Sequence, residues 1–171
     1  MAPDRARVVA GLEASVDVDR EVSLQTVRQQ LIGTWRLVSY EIRGSDGPVT
    51  YPMGQNVTGF IMYVPDGYMS ANLMVPGRPA FSGGGAASAT PAELAAAAAG
   101  YFAYAGRFEV DESAALALHH IDVCLIPNML GGTQRRYITL EGSRLTLRGD
   151  PMPAGDRVVT PLIIWDRVSP E

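Results

Sequence analysis

The stretch Thr34-Trp35-Arg36-Leu37-Val38-Ser39-Tyr40-Glu41-Ile42-Arg43 decides the class of fold. Aromatic and β-branched residues alternate with polar ones, as in a half-buried strand, and Gly44-Ser45-Asp46-Gly47 ends the run with a turn. The same pattern recurs downstream. Strands are expected over Val57–Val64 and Tyr68–Val75, joined by Pro65-Asp66-Gly67. Further strands follow over Arg107–Asp111, Leu116–Leu125, Thr133–Leu140, Leu145–Leu147 and Val159–Val168, with Glu141-Gly142-Ser143 as a tight hairpin. Eight mainly antiparallel strands fit a closed all-β barrel, because closure removes exposed edges. The interior of such a barrel is either filled by side chains or open to one small ligand, and the pattern fits both.

Upstream, residues 1 to about 22 hold no sustained period and read as a flexible arm, with the barrel domain spanning 23–171. Ser23 is placed to cap a short helix running through Leu31 and ending at Gly33. The barrel pattern is interrupted once, from Pro76 to Gly106. The first half of this insertion (PGRPAFSGGGAASA) is rich in glycine and proline and reads as a mobile loop. Its second half opens on Thr90-Pro91-Ala92-Glu93, a capping box with proline at the first helical position. The alanines that follow, then Tyr101, Phe102 and Tyr104, predict a helix of three to four turns between the third and fourth strands. Long insertions of this kind are usually lids or binding loops.

Composition excludes several classes. Of 171 residues, 47% are hydrophobic and 19% charged, which is a globular balance. The net charge of -4 lacks the clustered positive surface that nucleic acids require. The longest apolar run, Leu94 to Ala105, falls short of the ~20 residues that span a bilayer. The N-terminus mixes charges without an apolar signal core, so a cytoplasmic setting is expected. All 14 basic residues are arginine, which excludes Schiff-base and phosphate-loop lysine chemistry. Cys124 is the one cysteine, so no internal disulfide can form.

Gly33-Thr34-Trp35, at the start of the first strand, resembles the Gly-x-Trp motif of lipocalins. Arg167, in Ile163-Ile164-Trp165-Asp166-Arg167, resembles the arginine that packs on that tryptophan at the closed end. The ordered set LIGTWRLVSYE, YPMGQNVTGFIMYVPDGYMSANLM, GYFAYAGRFEVDE and HHIDVCLIPNMLGGTQRRYITLEGSRLTLR resembles the bacterial and fungal lipocalin-like domain family over residues 28–168. The resemblance implies an eight-stranded calycin-type barrel around a cavity for a small, largely apolar molecule. Some barrels of this kind are cofactor-free cyclases in natural-product pathways. The chain departs from classical secreted lipocalins in lacking a disulfide pair and in carrying its helix between the third and fourth strands.

Candidate chemistry follows from strand alternation. If Trp35 faces the barrel floor, then Leu37, Ser39 and Glu41 face inward too, with Glu41 roughly 20 Å along the strand near the mouth. There it is either a desolvated general base or a rim carboxylate paired with Arg43. His119 and His120 are strand neighbours, so one faces the cavity and the other faces away. Ala117 and Ile121 favour His119, whereas the opposite face, with Asp122, is the more polar. Arg136 shares a face with Gln134 and Ile138, while Arg135 shares one with Tyr137; an inward arginine suits a carboxylate or enolate on the ligand. Tyr68, Ser70, Asn72 and Met74 form either a pocket wall or an outward polar face. Tyr63 in the second strand, Phe81 in the loop, Tyr104 on the helix and Asn128 in the Ile126–Gly132 loop complete the candidate ligand set. The sequence offers no three- or four-ligand cluster for zinc, and no cofactor is expected.

Two functions stay open. A cofactor-independent cyclase or isomerase would fold a polyketide-like substrate in the barrel, with Glu41, His119 or His120, and Arg136 moving protons or stabilising charge. A non-catalytic carrier would sequester a hydrophobic metabolite. Either acts as a monomer or homodimer on a small molecule, with no nucleic acid or membrane partner.

Overall fold

A computed structural model describes residues 25–44 and 47–169. The expected arm over 1–22 and the Ser23 cap lie outside the described residues. Ten strands form one sheet: β1 (Gly33–Gly44), β2 (Thr58–Tyr63), β3 (Tyr68–Met74), β4 (Tyr101–Asp111), β5 (Leu116–His120), β6 (Val123–Cys124), β7 (Thr133–Glu141), β8 (Arg144–Arg148), β9 (Met152–Ala154) and β10 (Arg157–Arg167). Eight of them run β1-β2-β3-β4-β5-β7-β8-β10, and β10 pairs back onto β1 to close an antiparallel barrel. The short strands β6 and β9 hang on β4 and β10. Two helices accompany the sheet, α1 (Val27–Leu31) before β1 and α2 (Pro91–Ala99) between β3 and β4.

One end is closed by the residues that suggested the family. The Trp35 indole is fully buried and donates from Nε1 to the Leu31 carbonyl at 2.9 Å. The Arg167 guanidinium lies 4.0 Å from the Trp35 ring centroid and donates to the Ile32 carbonyl at 3.0 Å and to that of Gln30. Helix α1 is capped by Thr26. Thr26 and Gln29 form a reciprocal capping box, and Glu112 accepts from the Val27 and Arg28 amides. Above this floor Phe108, Ile138 and Leu145 pack the barrel core, with Trp165 and Ile61 as its upper layer beneath the cavity.

Three boundaries differ from the pattern in the sequence. Helix α2 stops at Ala99, with Gly100 as its cap, and Tyr101, Phe102 and Tyr104 belong to β4. Their side chains win more from β3, against which Tyr101, Phe102 and Tyr104 pair with Met74, Leu73 and Ala71, than from a third helical turn in solvent. The long strand expected over Leu116–Leu125 breaks after His120, and β6 resumes against Tyr104 and Ala105. The break crosses β4 at Gly106, where a Cβ would stand 1.9 Å from the His120 carbonyl oxygen. The short β9, Met-Pro-Ala, pairs with Arg157–Val159 in a hairpin that carries no β signature of its own.

A fourth difference matters most for the site. In β1, Leu37 pairs with Trp165 but Ser39 pairs with Ile164, so Val38 is an extra residue, a β-bulge. Beyond it the alternation is reversed. Tyr40 pairs with the inward Ile163, and Ser39 and Glu41 take the opposite face.

Candidate functional site

The upper half of the barrel is hollow. A cavity of about 460 Å³ opens at the end away from α1. Its walls are largely apolar, with Ile61, Leu73, Phe102, Ile163 and Trp165 among them. Polar groups reach it from Tyr40, Tyr104, Gln134 and Arg136, and Asp150, Pro151 and Met152 border it beside the β9–β10 hairpin. This is the size and composition typical of small-molecule sites, roughly 300–1,000 Å³ with a few polar groups set in apolar walls.

Arg136 is delivered by β7, opposite Ala117 of β5, and is only 9% exposed. Its Nη1 donates to the Arg135 carbonyl at 2.9 Å and its Nη2 to Gln134 Oε1 at 3.0 Å. Among the described residues its buried Nε has no hydrogen-bond partner. Among the described residues no carboxylate pairs with it. Its charge reaches the surrounding phenols: burial raises the pKa of Tyr40 and Tyr104, and Arg136 opposes the rise in both.

His119 faces inward but sits one layer behind the cavity wall, fully buried. Tyr63 Oη lies 2.9 Å from its Nε2 and Tyr104 Oη lies 2.9 Å from its Nδ1. Burial, then the positive charges of Arg136 and of His120, push its pKa down to about 3, so the ring is neutral at pH 7. A neutral imidazole donates from one nitrogen and accepts at the other. Tyr63 is 1% exposed and has no other hydrogen-bond partner among the described residues, so its proton is satisfied by donation to Nε2. Nδ1–H then donates to Tyr104, and the Tyr104 proton is left for the cavity. The donors run Tyr63, His119, Tyr104, cavity.

The remaining candidates lie elsewhere. The Val38 bulge turns Ser39 and Glu41 away from the cavity; Glu41 accepts from Ser39 Oγ at 2.9 Å and from Arg43 Nη2 at 2.6 Å. His120 faces outward, 3.1 Å from Thr133 Oγ1 and 3.5 Å from Glu109. Tyr68, Asn72 and Met74 are on the outer face of β3, because Met69, Ala71 and Leu73 take the core. Tyr137 is also outside, under the Arg148 guanidinium at 4.1 Å. Asn128 stands in a 3₁₀ turn whose neighbour Met129, and not Asn128 itself, lines the cavity. Phe81 faces a separate cavity of about 240 Å³ with Ala92 and Ala96 of α2, and no residue between Pro76 and Gly100 lines the barrel cavity. Among the described residues, no three His, Cys, Asp or Glu side chains gather to hold a metal.

Reasoning from the sequence missed Tyr40, hidden by the bulge, and the β9 approach. Phe102, assigned to a helix, carried the alternation that marks β4.

Comparison with known proteins agrees with this architecture. Residues 32–168 match the family model described as a lipocalin-like domain. The 4'-hydroxy-3'-methoxypropiophenone carrier protein ppsC of Aspergillus oryzae is 38% identical over 85 residues, covering 46% of this chain and 77% of that protein. No helix among the described residues is long and apolar enough to cross a membrane. The Gly-x-Trp floor, the arginine upon it, the closed eight-stranded barrel and the match over most of its length lead to one conclusion: this chain belongs to the lipocalin-like domain family.

Proposed function

We propose that this barrel binds a small, largely apolar molecule, aromatic or polyketide-like, and holds it inside the cell as a carrier. The observation that carries the reading is the cavity of about 460 Å³ above a solid core, with apolar walls and two polar anchors, Arg136 and Tyr104. The related protein of Aspergillus oryzae is named as the carrier of a phenolic ketone, a molecule of this class. A second reading, cofactor-independent cyclisation or isomerisation of the bound molecule in natural-product biosynthesis, is favoured by one feature. Tyr104 both lines the cavity and hydrogen-bonds His119, so a proton donor stands against the ligand. Glu41 and His120 have no part in either reading, since neither reaches the cavity.

The test is incubation of the purified chain with extract of its producing strain, followed by native and denaturing mass spectrometry. A compound retained and released unchanged supports the carrier. Conversion of a precursor to an isomer of equal mass supports catalysis. Failure to retain any compound overturns both.

A further inference from the structure

This inference rests on the binding reading and narrows the chemistry of the ligand. We infer that Arg136 Nε–H and the Tyr104 hydroxyl form an oxyanion site, so that the barrel takes its ligand as a phenolate or enolate.

Arg136 is nine-tenths buried, and a guanidinium cannot shed its charge. A buried cation without a counter-charge is strongly unfavourable, and a binding site is where such a cost is kept. The groups that face the cavity around it do not neutralise it. Tyr40 comes from β1, Tyr104 from β4 and Gln134 from β7; His119 of β5 stands neutral behind them. Asp150, the one carboxylate at the mouth, is engaged at 3.5 Å by Arg135. The ligand is therefore the missing counter-charge.

Two unused donors are available to it. Nε–H of Arg136 has no acceptor among the described residues. The Tyr104 proton is the open end of the chain that starts at Tyr63 and passes through His119. The rest of the wall selects among anions. Leu73, Phe102 and Ile163 offer no hydrogen bonds to a strongly hydrated carboxylate along its body, and Trp165 adds only its single unpartnered Nε1–H. A conjugated phenolate or enolate spreads its charge into an apolar skeleton and loses less on leaving water. Its proton goes to solvent on binding, and no bond is made or broken in the protein.

The experiment uses the full chain and three probes: para-hydroxyacetophenone, its methyl ether and para-methylbenzoate. The phenol's absorbance reports its ionisation and calorimetry reports affinity. Bound phenol is expected to show the phenolate band, with its titration midpoint at least about one pH unit below the solution value, as an adjacent fixed cation produces. The ether is expected to bind at least about tenfold more weakly, the loss of one charge-assisted hydrogen bond. Arg136→Gln should return the midpoint to the solution value while ether binding persists, which also shows that the variant is folded. Tyr104→Phe should weaken phenolate binding and leave the ether unchanged. A bound phenol that keeps its neutral spectrum, an ether that binds as well as the phenol, or a benzoate that outcompetes the phenol overturns the assignment and leaves the binding reading standing. If none of the three probes binds, the binding reading falls and this inference with it.

Discussion

Tyr63 and Tyr104 grip opposite nitrogens of one buried imidazole, each at 2.9 Å. The three side chains come from β2, β4 and β5, so His119 ties together strands that are not all neighbours. Removing the ring strands two hydroxyls. His119→Leu is expected to cost about 2–5 kcal/mol, from one or two buried groups left without partners. Tyr63→Phe alone should cost about 1 kcal/mol, but in the His119→Leu background it should be neutral or stabilising. Urea denaturation of the four chains in this cycle measures the coupling. Additive effects would show that the hydroxyls do not depend on the ring.

The same histidine gives stability a defined pH dependence. Its folded pKa of about 3 lies below the ordinary histidine value of 6.5, so the unfolded chain binds the proton first. Its contribution is full above pH 6.5 and is lost as pH falls toward 3, by roughly 3–5 kcal/mol in all. His119→Gln should remove that slope between pH 6.5 and 4. Thermal melts across this range, compared for the two chains, give the answer; parallel curves would count against the buried neutral ring.

At the closed end Arg167 joins β10 to the turn after α1. Replacing it with Ala removes the cation–π contact and both backbone hydrogen bonds, for an expected loss of about 2–4 kcal/mol. Arg167→Lys keeps the charge without the planar fork and should recover less than half of that. Calorimetric melting temperatures would rank the three chains.

Glu93 fastens the long insertion to the start of α2. Its carboxylate accepts from the Ser82 amide at 2.8 Å and from the Thr90 amide at 2.7 Å, and these bonds hold its pKa down to about 2 from 4.5. The tether is present above pH 4.5 and is lost as pH falls through 2. Glu93→Gln should therefore raise amide exchange at Ser82 and Thr90 at neutral pH while leaving the barrel amides protected. Unchanged exchange at these two sites would show that the loop is held by other contacts.

The bulge at Val38 separates two residues that strict alternation would exchange. Glu41→Gln should leave probe affinity in the cavity unchanged within about twofold, because the buried carboxylate lies on the face of β1 turned away from the cavity. Tyr40→Ala, which removes cavity wall, should alter it by about tenfold or more. Calorimetry with para-hydroxyacetophenone decides between the two strand registers.

Most of the barrel could be read from the chain because its strands alternate cleanly and its turns are marked by Gly, Pro, Asp and Ser. The Gly33-Thr34-Trp35 and Arg167 pair identified the closed end, and Ala117 and Ile121 correctly favoured an inward His119. The site was legible only in part. Arg136 emerged from its face, yet Glu41, Ser39, Tyr68, Asn72, Met74 and Tyr137 were assigned by phase, and phase is fragile. One bulged residue reversed it in β1. In β3 both faces carried apolar bulk, and only packing against β2 and β4 chose Met69, Ala71 and Leu73 for the interior. Tyr104 was misplaced because an alanine run before it masks the point where helix gives way to strand. Contacts distant in sequence made each of these decisions.

Strand alternation is read two residues at a time, and Val38 shifts the reading frame. On one side of it the interior receives Trp35 and Leu37; on the other it receives Tyr40, where the unshifted frame would have supplied Ser39 and Glu41. A single-codon insertion or deletion in this strand would thus recast an apolar and phenolic wall as a hydroxyl and a carboxylate facing Arg136, without substituting any residue. The pocket's preference for one sign of charge is written less in which residues the strand contains than in where the count begins.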